Sequence, residues 1–79
     1  MTRYFFDVLS DGQLDHRDKV GVLLPDRAAA QREASLCLAD LARDEFWSAR
    51  PSLRVAISVR TVEGPVCEAA YQWNSLALH

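Results

Sequence analysis

The stretch Leu53-Arg54-Val55-Ala56-Ile57-Ser58-Val59-Arg60-Thr61-Val62-Glu63-Gly64-Pro65-Val66-Cys67-Glu68-Ala69-Ala70-Tyr71-Gln72-Trp73 reads as one hairpin with a definable register. Leu53, Val55, Ile57 and Val59 alternate with Arg54, Ala56, Ser58 and Arg60, the period-two pattern of a strand with one buried face. Cys67, Ala69, Tyr71 and Trp73 alternate in the same way with Glu68, Ala70 and Gln72. A three-residue loop, Val62-Glu63-Gly64, sets Val59 opposite Cys67, Ile57 opposite Ala69, Val55 opposite Tyr71 and Leu53 opposite Trp73. It also puts Gly64 where the chain needs a left-handed backbone. A two-residue loop sets Val59 against Glu68 and mixes the faces, which a half-buried strand resists. Strands are therefore expected over 53–61 and 65–73, with a tail at 74–79.

Ahead of this hairpin the period changes from two to three and four. Asp26 reads as a helix N-cap, its carboxylate placed to accept from the first free amides. Ala28-Ala29-Ala30 follows, with the highest helix propensity available. Ala30, Ala34, Cys37, Leu38 and Leu41 then form one apolar stripe, with Ala42 at its margin and Gln31, Arg32, Glu33, Asp40, Arg43 and Asp44 around the rest. Small residues at its start imply close approach to the sheet. The helix is expected over 26–48, ended by Arg50-Pro51.

The chain opens on a strand over 3–9, with Tyr4, Phe6 and Val8 on one face and Phe5, Asp7 and Leu9 on the other. At the Asp11-Gly12 turn two registers compete. A two-residue loop pairs Leu9 with Leu14 and Asp7 with His16. A three-residue loop, Ser10-Asp11-Gly12, pairs Val8 with Leu14 and Phe6 with His16, and it is favoured because it keeps Asp15 and Arg17 off the Tyr4 face. The second strand spans 13–17, and 20–24 either continues it or forms a short strand of its own, ended by Pro25. The whole is an α+β fold in ββαββ order, one domain over 1–79: an antiparallel sheet of two hairpins, with one amphipathic helix across one face.

A hydrophobic fraction of 49% and a charged fraction of 25% are those of a globular protein rather than a disordered one. The net charge of −2 provides no long-range pull on nucleic acid or anionic membrane. No window approaches the roughly 20 apolar residues of a membrane span, and the short apolar run near Met1 is broken by Asp7. A soluble cytoplasmic protein is expected, with Cys37 and Cys67 as reduced core thiols.

No catalytic constellation stands out. The chain has three glycines and no phosphate loop or serine elbow. His16, Cys37 and Cys67 lack the short spacings of a zinc site, and a His16–Cys67 nucleophile pair has no orienting acid. Asp7, Asp11, Asp15 and Asp18 read as solvated turn acids without the spacing of a calcium loop. Phe5, Tyr71 and Trp73 suggest base stacking, but the hairpin register sends Tyr71 and Trp73 to the core side. Neither catalytic residue, cofactor nor metal ligand is assigned.

Hydrophobic residues outside the core stripe suggest contact surfaces instead. Leu36 and Trp47 project from the outer side of the helix with Arg43 between them, placed to lie over the Trp47 ring. Phe5, Leu9, Ala56 and Ala70 lie on the sheet face away from the helix. A homodimer through the open face or a strand edge is expected, since a small chain gains core by dimerising. A small protein partner is the alternative. A small-molecule site would need convergent polar groups, which the sequence does not offer.

Arg3-Tyr4-Phe5-Phe6-Asp7-Val8, the Asp11-Gly12 turn, Asp18-Lys19-Val20-Gly21, Leu24-Pro25-Asp26 and the Ala-rich continuation through Ala34 carry a family resemblance. With the late Val-rich strand, they make the chain resemble a family of short bacterial proteins of unknown function. More remotely it is similar to the N-terminal domain of HicB-type antitoxins, which also run a hairpin into a Pro-marked, Ala-rich helix. That second resemblance implies a small RNA-cleaving toxin as partner and carries over no catalytic residue.

Overall fold

A computed structural model describes residues 1–45 and 52–74 of the protein. The elements are β1 (Thr2–Ser10), β2 (Gln13–His16), β3 (Val22–Leu24), α1 (Arg27–Glu45), β4 (Ser52–Thr61) and β5 (Gly64–Asn74). The architecture is α+β, with one helix against an antiparallel sheet ordered β2-β1-β4-β5 and β3 also paired to β1. The two hairpins join through their first strands, from Phe5↔Arg60 to Ser10↔Val55. That makes β4 a central strand, and Leu53, Val55, Ala56, Ile57 and Val59 on it are all buried.

The helix begins as its sequence requires. The Asp26 carboxylate accepts from Ala29 N–H at 2.8 Å, satisfying one of the amides a helix start leaves free. Ala30 and Ala34 are fully covered and let α1 approach β4 and β5 closely. They form the core with Tyr4, Ile57 and Val59, and Cys37, Leu38 and Leu41 extend the stripe along the helix. Burying side chains of this size contributes about 1.5–3 kcal/mol each for the larger ones, the main force holding the layers together.

The second hairpin has the expected pairs: Leu53↔Trp73, Val55↔Tyr71, Ile57↔Ala69 and Val59↔Cys67. Its turn differs. Thr61 pairs with Gly64 and Arg60 with Pro65, so the loop has two residues, Val62-Glu63, and a bulge between Val59 and Arg60 takes up the extra residue. Alternation fixes which face a residue belongs to, whereas it is blind to where the odd residue goes.

The first hairpin corrects the favoured register. Ser10 pairs with Gln13 and Leu9 with Leu14 around a two-residue Asp11-Gly12 turn, and a bulge then brings Val8 opposite His16. Asp11 and Gly12 both have positive φ, 51° and 80°, as a two-residue turn matched to strand twist demands. The turn is also tied to β4, with Asp11 N–H donating to the Arg54 carbonyl at 2.8 Å and Arg54 N–H donating to the Asp11 carboxylate at 3.0 Å. Beyond β2 the chain departs from β1 at residues 17–21 and returns as β3, a short strand pairing Thr2↔Leu24 to Tyr4↔Val22.

Candidate interaction surface

The sheet face turned away from α1 is largely occupied by the chain itself. Asp7, read in the sequence as a solvated acid, is buried with 7% of its surface exposed. Arg60 Nε donates to its carboxylate at 2.8 Å, and Arg60 Nη2 donates to the Asp18 carbonyl at 2.7 Å. The Asp7 carboxylate also accepts from Asp18 N–H at 2.9 Å. Burial pushes the Asp7 carboxyl up, but the hydrogen bonds from Arg60 and Asp18, with the charges of Arg60 and Arg17, hold it below its ordinary value of 3.8.

Asp18 completes the closure. Its carboxylate accepts from Phe6 N–H at 3.1 Å, where β1 has lost its ladder partner between β2 and β3. It also accepts from Val20 and Gly21 N–H, both at 3.0 Å, which folds the 17–21 segment into a tight loop. Burial opposes its ionisation, and these three backbone donors, with His16 nearby, outweigh that and keep its pKa low. Gly21 closes the loop with φ 76°, and a Cβ there would stand 2.8 Å from Arg3 Cγ and 3.0 Å from the Tyr4 carbonyl oxygen.

Of the expected surface residues, Phe5 is half-buried, with the Arg60 guanidinium 4.6 Å from its ring centre. Ala56 is buried and Leu9 half-buried, while Ala70 remains exposed. Arg54 reaches from β4 to Glu68 on β5 at 2.9 Å, passing the Ala56↔Ala70 pair whose small side chains leave room for it. On the helix, Leu36 is 64% exposed, and Arg43 sits 3.8 Å from Asp40 in an exposed pair. Trp47 lies outside the described residues, so the expected Arg43–Trp47 stack falls there too.

Cys37 and Cys67 are free thiols on opposite flanks of α1. Cys37 lines a groove with Phe6, Val8 and Leu41, whereas Cys67 lines one with Ala34 and Ala69. Burial, with Glu33 and Asp40 nearby, pushes the Cys37 thiol up and away from nucleophilic character. His16 is exposed on β2, and no group of metal-ligating side chains converges among the described residues.

The outer edge of β5 is a surface that alternation alone does not display. Among the described residues β5 pairs only with β4, which leaves one side of an 11-residue strand without a neighbouring strand. On the helix side of that edge Cys67, Ala69, Tyr71 and Trp73 are each only half-buried. Such an edge combines a row of backbone donors and acceptors with an incompletely covered apolar strip.

The fold and this surface define a small α+β module, one helix against an antiparallel sheet. The chain belongs to the family described as Domain of unknown function (DUF6894), whose model matches residues 3–72. No curated protein and no solved structure matches it. Among the described residues no helix is long and apolar enough to cross a membrane.

Proposed function

We propose that this chain is a non-enzymatic module that acts through protein contacts, with a second copy of itself as its first partner. The outer edge of β5 carries this reading, because a long strand with a single strand neighbour among the described residues and a half-buried apolar strip gains both hydrogen bonds and core by acquiring a second. The open sheet face supports it less, since Arg60, Asp7, Asp18 and the Arg54–Glu68 pair already occupy that side. Two free thiols suit a reducing compartment, so we place its work in the cytoplasm. Sedimentation equilibrium tests the reading: a dimer is expected at tens of micromolar, and a monomer throughout that range contradicts it.

A further inference from the structure

Resting on that dimer reading, we infer that β5 pairs antiparallel with β5 of a second copy about a two-fold axis at Ala70, joining the two sheets into one. Three features of the strand select this register. The first is its usable length. The regular register with β4 begins at Cys67 and runs to Asn74, because the bulge lies before it and Pro65 has no N–H to give. A symmetric antiparallel pair sets residues equidistant from the axis opposite each other, so an axis at Ala70 engages all of Cys67–Trp73. Centring on a residue also keeps like faces together, with both helices on the same side of the joined sheet.

The second feature is size. On the helix side this axis places Trp73 opposite Cys67 and Tyr71 opposite Ala69 of the other copy, large against small at every position. Bulky rings thus cover the half-buried small residues at the edge, the alternation that packs without voids. The third is charge. On the opposite side Ala70 meets Ala70, and Glu68 meets Gln72, whose amide donates to the carboxylate. An axis at Glu68 instead sets two carboxylates face to face, which opposes association. Glu68 keeps its partner Arg54 within its own chain, so the contact leaves no acid unpaired.

Disulfide trapping with the full chain tests the register. Opposed residues of an antiparallel pair have Cα atoms about 4.5–5.5 Å apart, within the span a disulfide bridges. Ala70→Cys, at an exposed position, is expected to yield a covalent dimer under mild oxidation, with a peptide map joining position 70 of both copies. Glu68→Cys alone is expected to give no bridge between its own copies, since those positions lie about 13 Å apart along the strand. Mixing Glu68→Cys with Gln72→Cys restores the bridge. A chain that sediments as a monomer overturns the dimer reading and this inference together. A dimer that bridges through Glu68→Cys alone, or through neither variant, overturns the axis at Ala70 and leaves the dimer standing.

Discussion

Arg60 holds Asp7 with its Nε and the Asp18 carbonyl with Nη2, so one side chain spans β4, β1 and the 17–21 loop. Arg60→Met removes that cation and leaves the buried Asp7 carboxylate with the Asp18 N–H but no ion-pair partner, which is expected to cost about 3 kcal/mol in urea unfolding. A loss below about 1 kcal/mol, the scale of an exposed pair, contradicts this placement. The pH dependence follows from the same groups. Asp7 and Asp18 both have folded-state pKa values below their ordinary 3.8, so their contribution is complete above that value and lost as pH falls through the lower folded values. Unfolding midpoints should thus be flat from about pH 7 to about pH 5 and drop below about pH 4, with a shallower drop in Arg60→Met. A midpoint that rises on acidification contradicts the assignment. Asp7 was legible as an acid on the face opposite Tyr4, but its burial was not: the partner stands on a strand more than fifty residues away in the chain. An acid in the middle of the apolar run Tyr4–Leu9 was the available signal.

At the scale of elements, the helix stripe and the inward set of β4 were readable because periodicity reports faces directly. The turns were not, because both hairpins insert a bulge next to a two-residue loop, and a bulge changes the residue count without changing which residues are apolar. The 17–21 loop escaped for a related reason: its order comes from Asp18 hydrogen bonds to three amides, which leave no apolar pattern. Two glycines separate backbone strain from crowding. Gly12 and Gly21 share similar positive φ, but a Cβ at Gly12 meets nothing within 4 Å, whereas one at Gly21 meets the Tyr4 carbonyl oxygen, which has no freedom to move aside. Gly12→Ala is expected to cost about 1 kcal/mol from the left-handed backbone alone, and Gly21→Ala about 3 kcal/mol, measured by urea unfolding. Equal losses contradict the tight closure of the loop over β1.

For the whole molecule, the pairing β1–β4 joins the hairpins and sends β5 to the outside, an arrangement that no single segment specifies. Among the described residues it leaves the sheet with a helix on one face, an ion-pair network on the other and β5 (Gly64–Asn74) with a strand neighbour on one side alone. Hydrogen exchange at the β5 amides, compared between dilute and concentrated protein, tests this arrangement most directly. The account predicts that amides over Cys67–Trp73 that do not bond to β4 gain protection as concentration rises, while those of β4 are protected at both. Equal, rapid exchange of those β5 amides at every concentration contradicts it.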